Sequence, residues 1–327
     1  MGPHKHDTMV GMGVRCGGMF DELSVHNVSE PDATAVLREA WGIDASLGQP
    51  HHGISRRTWQ AGSVGWLARE SASRLNETQS EARLLSLLSE TADFAVPTPI
   101  PTVQAQLIAV VGNYAWTLCR HIEGERLDDE PSTYRRLVEI LAVIHHRLQD
   151  LNPHDSVMRE SLLSRAQAAL QDAPDALTPT GRAATEWLRG RIAVLYGLPP
   201  QIIHGDFGIP NVLVGVNDPT SFGILDWELS SYDSPIFDLA QVAFGMIAFS
   251  RAQPHRSQLR VLSRWYAAGG GQTFSEGQLA VALVAGRLAN IARLNGRLAH
   301  GEAALTASVS FLDERLGRVL QWLGQYP

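Results

Sequence analysis

Apolar positions along the chain recur first in short alternating runs and later at helical spacing, and the change falls near residue 120. In "SEPDATAVLREAWG" a cap-like Ser29 and an early Pro31 precede Val36, Leu37, Ala40 and Trp41 at helical spacing, and Gly42 closes the segment. This predicts a short opening helix. "PHHGISRRTWQAGSVGWLARES" reads as two strands about Ala61-Gly62-Ser63, with Gly53 ahead of the first. "ETQSEARLLSLLSE" predicts an amphipathic helix whose apolar face is Leu84, Leu85, Leu87 and Leu88. After the proline-rich "VPTPIPT", the run "AQLIAVVGNYAWTLCRHI" supplies two more strands about Gly112-Asn113. Beyond it, helices are expected over Pro131 to Leu151, Val157 to Ala173 and Thr180 to Tyr196, and again across 255–322 with a break at "AAGGGQTFSE". Between these helical stretches, "QIIHGDFGIPNVLVGVNDPTSFGILDWE" reads as loop, strand, turn, strand.

Composition narrows the class. A chain of 327 residues that is 44% hydrophobic is long enough for two lobes. Net charge is −7 and the basic residues are scattered, which argues against a nucleic-acid partner or an anionic membrane surface. Cys16 and Cys119 lie far apart without metal-type spacing, the usage of a reducing compartment, and no apolar run reaches membrane-spanning or signal-peptide length. A cytoplasmic protein is expected, monomer or dimer, with residues 1–28 a loose leader.

The candidate chemistry lies in the loop and hairpin. The hairpin returns Asp226 toward the loop that holds Asp206 and Asn211. Two carboxylates and an amide oxygen at one place suit a hard cation such as Mg²⁺, which completes its shell with water and phosphate oxygens. A carboxylate beside the metal but free of it can orient a hydroxyl and accept its proton. Phosphoryl transfer requires that set.

With these residues the chain resembles the aminoglycoside phosphotransferase family, which shares a bilobal α+β fold with protein kinases. His204-Gly205-Asp206 with Asn211 is similar to the family's catalytic loop, and "ILDWE" to its metal-binding segment; "HGDFG…NVL" and "DW" resemble hygromycin phosphotransferases in particular. The resemblance implies an N-terminal lobe over 29–120 with an antiparallel sheet plus helix, and a helical C-terminal lobe over 121–327. It implies Asp206 as catalytic base, Asn211 and Asp226 as Mg²⁺ ligands, ATP or GTP as donor, and a small hydroxyl-bearing acceptor. His204 braces the loop, Asp238 in "SPIFDLA" anchors it, and His145 in "LAVIHHRL" is structural.

The same resemblance assigns the nucleotide side by order along the chain. Gly53 and Ser55 stand where a phosphate-covering loop belongs. Arg69 stands at the basic position of the third strand, with Glu81 as its helix partner. Arg120 to Ile122 form the hinge whose backbone faces the base. The acids Glu123, Glu125, Asp128, Asp129 and Glu130 either attract a cationic acceptor or are a solvated loop face. Arg287, Arg293 and Arg297 fall where the family lines its acceptor pocket, which argues against a strongly cationic acceptor.

The reading that follows is a kinase acting on an antibiotic of aminoglycoside, nucleoside or macrolide type, conferring resistance by inactivation. The alternative is a metabolic kinase for choline, a sugar or homoserine. A protein kinase is disfavoured by Gly208, where its catalytic loop carries Lys, and a non-catalytic scaffold by the presence of Asp206, Asn211 and Asp226 together.

Overall fold

The computed structural model describes residues 32–53, 56–151, 160–172, 178–218, 220–249, 254–299 and 305–324. All described residues fall within one compact unit, Pro31–Pro327, and the expected leader over 1–28 lies outside them.

Strands β1 (His51–His52), β2 (Arg57–Ala61), β3 (Gly65–Ser71), β4 (Ala109–Val111) and β5 (Tyr114–Arg120) form one antiparallel sheet in the order β1-β2-β3-β5-β4. Register decides which side chains share a face. Trp59, Leu67 and Leu118 are cross-strand partners, as are Arg57, Arg69 and Trp116. One residue out of phase lie Thr58, Ala68 and Thr117, then Gln60, Trp66 and Cys119, with Glu70 opposite Ala115. The first face is sealed by α1 (Ala33–Trp41), whose Val36, Leu37 and Trp41 pack with Trp59, Leu67, Trp116 and Leu118. Asp32, rather than Ser29, caps α1, accepting from the Thr34 N–H at 3.0 Å; Ser29 is outside the described residues. Gly42 ends the helix at φ +68°, a left-handed conformation that glycine adopts without cost.

Helix α2 (Leu75–Thr91) buries Leu84, Leu85 and Leu88 in the other, larger core. That core is built by α3 (Pro131–Leu148), α4 (Leu162–Asp172), α5 (Pro179–Leu188), α6 (Ile236–Phe249), α7 (Ser257–Ala268), α8 (Glu276–Ala299) and α9 (Thr306–Gly324). Helix α8 lies at its centre, against α4, α5, α6, α7 and α9, and is buried without a break from Leu279 to Ile291. Two small ladders complete the fold. β6 (Glu125–Arg126), β8 (Val212–Val214) and β9 (Phe222–Ile224) pair in the order β6-β8-β9, and β7 (Gln201–Ile203) pairs with β10 (Ser231–Asp233).

Three elements differ from expectation. The helix predicted over Thr180 to Tyr196 stops at Leu188, because Gly190 turns left-handed at φ +73°, and a separate 3₁₀ turn follows at Ile192–Leu195. Helix α6 was not predicted: it is apolar around nearly its whole circumference, so its sequence shows no amphipathic stripe. Strand β10, three residues long, gives no legible alternation. Among the described residues no helix is long and apolar enough to cross a membrane.

Candidate active site

The loop after β7 is held by its backbone. Asp238, on the first turn of α6, accepts from the N–H of His204 at 2.7 Å and of Gly205 at 2.8 Å. It also meets His145 Nε2 at 3.0 Å, and His145 Nδ1 meets the Tyr266 hydroxyl at 2.6 Å. Burial pushes the Asp238 carboxyl up, but the hydrogen bond and charge of His145 outweigh it, so the group stays below the usual carboxylate range. Gly205 is at φ +83°, and a Cβ there would lie 2.1 Å from the Leu229 carbonyl, so only glycine fits this turn. Gln241, one turn past Asp238, donates to the Gly205 carbonyl at 3.1 Å.

His204 joins the loop to the hairpin. Its Nε2 lies 2.8 Å from the Leu225 carbonyl and its Nδ1 accepts from the Asp206 N–H at 3.2 Å. A carbonyl can only accept and an amide can only donate, so His204 is the neutral tautomer with hydrogen on Nε2. The Trp227 ring packs against it, centroids 4.8 Å apart.

On this scaffold Asp206, Asn211 and Asp226 converge. The Asn211 amide nitrogen donates to the Asp206 carbonyl at 2.9 Å, which leaves its Oδ1 to face elsewhere, and the Asn211 carbonyl accepts from Leu225 N at 2.8 Å. The Asp206 carboxylate has no hydrogen bond or ion pair with the protein. Asp226 sits at φ +59°, a left-handed conformation rare outside glycine. The residue is exposed, yet its carboxyl is desolvated by the neighbours packed around it. That desolvation first, and then the neighbouring Glu228, push its carboxyl up to about 7. A carboxylate so crowded by other acids is a place where a divalent cation fits. Among the described residues no three carboxylates, imidazoles or thiolates form a complete metal cage, so an ion here would be held by Asn211 and Asp226 with phosphate oxygens and water.

For the pair expected between the third-strand cation and the α2 acid, the structure puts a different arginine on Glu81. Arg69 does not meet Glu81. It shares the α1-covered face with Leu67 and Trp116, and its guanidinium carbon lies 4.2 Å from the Tyr114 ring centre, 5.7 Å from Trp59 and 5.8 Å from Trp116. The inward-facing β3 residue is Glu70. The cation that meets Glu81 is Arg56, at the entrance to β2: its two terminal nitrogens reach the Glu81 oxygens at 3.1 and 2.5 Å, Glu228 at 3.3 Å and Glu70 at 4.0 Å. Burial alone would lower the Arg56 pKa, but Glu81 and Glu228 more than offset it, so Arg56 is firmly charged. Its Nε is buried without a partner. Arg56 thus clamps α2 to the segment after Asp226.

The remaining expectations place as follows. Ser55 lies outside the described residues, whereas the Gly53 N–H turns back onto the Arg56 carbonyl at 2.9 Å. The Arg120 N–H donates to Thr98 O at 2.8 Å, so it is engaged within the sheet region. Ile122 packs over Gly223 of β9, where a Cβ would come within 2.7 Å of its methyl. In the acidic run Glu125 lies in β6 and Asp129 accepts from the Tyr134 hydroxyl at 2.8 Å. Arg293 and Arg297 are half-buried on α8, while Arg287 is fully buried.

Sequence reasoning missed Arg56, Glu228, Gln241 and Tyr266. For Arg56 a signal exists: Arg69 is in phase with Leu67, and so shares the apolar face of β3.

The phosphotransferase enzyme family, APH, matches residues 46–276. A curated relative, acyl-CoA dehydrogenase family member 11 of Gallus gallus, is 27% identical over 159 residues, 44% of this chain, and the chain spans only 20% of that protein's length. Among solved structures, a microcompartment-associated aminopropanol kinase superposes with TM-score 0.63 at 18% identity, over 90% of this chain and 97% of that one. The GDP and kanamycin complex of APH(2")-IIia gives TM-score 0.62 at 15% identity, over 90% and 99%. These identities show a shared fold. With most of its length matched by the family and the two-lobed, kinase-like architecture in place, this chain belongs to the APH phosphotransferase enzyme family.

Proposed function

We propose that the chain is a small-molecule kinase, transferring the γ-phosphoryl of a nucleoside triphosphate to an alcohol hydroxyl. The observation that carries this is the Asp206 carboxylate, without a partner in the protein, on a loop whose backbone is fixed by Asp238, His204 and Gln241.

Asp206 orients the acceptor hydroxyl and takes its proton as the new oxygen–phosphorus bond forms. The bond from the γ-phosphorus to its bridging oxygen breaks, and the nucleoside diphosphate leaves with that electron pair. Asn211 and Asp226 would hold Mg²⁺, which when bound would supply neutralisation of charge on the phosphate oxygens. Arg56 is the protein's own cation on that side, set by Glu81 and Glu228 to face the phosphates. The inward face of the sheet carries small side chains at Ala68, Thr117 and Cys119 beside the Trp66 ring, a surface against which a base can lie. GDP in one similar structure supports a purine nucleotide donor.

Kanamycin in that structure and aminopropanol in the name of another support a small hydroxylated acceptor. An antibiotic acceptor, whose phosphorylation confers resistance, and a metabolic alcohol differ only on the acceptor side. A transfer screen against hydroxylated antibiotics and metabolic alcohols, with ATP and GTP in parallel, tests the proposal. Acceptor-dependent nucleotide consumption that stops with excess chelator is expected; full activity in chelator contradicts it.

A further inference from the structure

Arg287 is placed unlike any other described arginine. It lies on the buried stretch of α8, 6% exposed, with its guanidinium carbon 3.7 Å from the centre of the Phe244 ring on α6. It forms no hydrogen bond or ion pair with the protein. Arginine is seldom buried this far unless an acid pairs with it. The ring holds the side chain but accepts none of its N–H donors. Burial brings the Arg287 pKa down to about 10, and Asp206 is the acid that acts against that fall. Asp226, by contrast, is influenced by Arg56, Glu81, Glu228 and Asp206. The geometric link to the loop runs through α6: Phe244, under the guanidinium, lies one turn past Gln241, which is bonded to Gly205 beside Asp206.

The surroundings of Arg287 are polar and unsatisfied. Asn290, one helical turn on, is buried with its Oδ1 unpartnered. Gln241, one turn before Phe244 and bonded to the loop glycine, has its Oε1 buried and unpartnered. The Arg287 donors, left without an acceptor in the protein, call for a ligand that can accept from them. Helices α6, α7 and α8 carry only two acids, and both are engaged: Asp238 holds the catalytic loop, and Glu276 meets Arg256 and Arg260 at 3.1 Å each.

We infer that Arg287 reads an anionic group on the acceptor, so that the substrate is an alcohol bearing a carboxylate or a phosphate, gripped by Arg287 while its hydroxyl lies at Asp206. A cationic amino sugar would bring ammonium groups against a buried guanidinium with no spare carboxylate on these helices. The inference rests on the kinase reading, and deepens it by naming the acceptor class.

The test is a steady-state comparison of short hydroxycarboxylates, sugar monophosphates, uncharged polyols and the cationic alcohols choline and kanamycin. It uses the full chain with Mg²⁺ and ATP or GTP. Calorimetric titration of malate and of glycerol phosphate, with and without Mg-ADP, accompanies it. Turnover is expected to favour an anionic arm, the carboxylate and phosphate arms separating the two sources. Arg287→Gln should raise the KM of the anionic acceptor roughly 10- to 100-fold, the worth of a charged hydrogen bond, and erase the preference over polyols. Arg287→Lys should recover part of it. The exposed variant Arg260→Gln serves as control, and thermal melting shows whether each variant folds. Preference for choline or kanamycin overturns the inference, as does an unchanged anion preference in Arg287→Gln. With no acceptor turned over, the titrations decide. Anion binding that Arg287→Gln abolishes supports the inference, and no binding, or equal binding in the variant, overturns it. Failure to bind any Mg-nucleotide is the separate result that overturns the kinase reading itself.

Discussion

The two sides of Asp206 are built on opposite electrostatic plans. On the side proposed for the nucleotide, Arg56 is shared among Glu81, Glu228 and Glu70, and Asp226 is raised by desolvation first and then by Glu228, so acids outnumber Arg56 there. Toward α6 and α8, the buried Arg287 guanidinium meets no acid from those helices, whose Asp238 and Glu276 are engaged elsewhere. In the proposed function the first side takes a metal together with phosphates, and in the further inference the second takes an anion. Asp206 works between them because its own fixing is done through the backbone, by Asp238 and His204, which leaves its carboxylate to chemistry.

The sharpest way to break this comparison is to remove each carboxylate in turn. Asp206→Asn should keep folding and Mg-nucleotide binding while turnover falls by roughly 10² to 10⁴, the usual share of a positioned base. Asp226→Ala should lower turnover and also weaken Mg-nucleotide binding, read by calorimetry beside steady-state rates. Identical phenotypes would remove the distinction between base and metal ligand.

Two arginines on opposite faces of one sheet give a smaller and more selective contrast. Arg56→Gln should raise the nucleotide KM roughly 10- to 100-fold, since charged hydrogen bonds to phosphate are lost. Arg69→Met should leave that KM unchanged and cost about 0.5–2 kcal/mol of stability, the loss of a cation over aromatic rings. An equal effect of both on the nucleotide KM would contradict the assignment of faces.

The anchor of the loop predicts a pH dependence. The folded Asp238 carboxyl titrates below its unfolded value of about 3.9, so its contribution to stability is present above that pH and is lost as pH falls through the lower folded value. In urea unfolding, the stability gap between the parent and Asp238→Asn should be full above about pH 5 and narrow as pH drops below about 4. A gap that stays constant down to pH 3, or about that, would show that Asp238 is not held ionised by its partners.

The smallest expected effect concerns the acidic run. Asp128 and Glu130 are exposed and Asp129 serves Tyr134, so neutralising the three together should leave the acceptor KM within about twofold, below the tenfold that 1.4 kcal/mol would give. A large rise would favour a cationic acceptor.

Much of the site was legible because its residues are close in sequence. Asp206, Asn211 and Asp226 lie on one loop and one hairpin, and two short apolar runs with "NDPTS" between them suffice to fold the chain back. The cation that pairs with Glu81 was not legible by order alone. A strand sends alternate residues to opposite faces, and Arg69 and Glu70 are adjacent, so their roles depend on which face α1 covers, which only packing decides. Helix α6 escaped for the reverse reason: a segment buried on every side has no polar stripe. Tyr266 and His145 meet across 121 positions of chain, beyond any local pattern.

The most direct test of the central claim is phosphorus NMR of Mg-nucleoside triphosphate incubated with the protein and the alcohol panel. The account predicts a new phosphate-monoester resonance that grows with diphosphate, vanishes in excess chelator and is lost in Asp206→Asn. Diphosphate appearing with inorganic phosphate alone for every alcohol, or a monoester formed at the parental rate by Asp206→Asn, would contradict it.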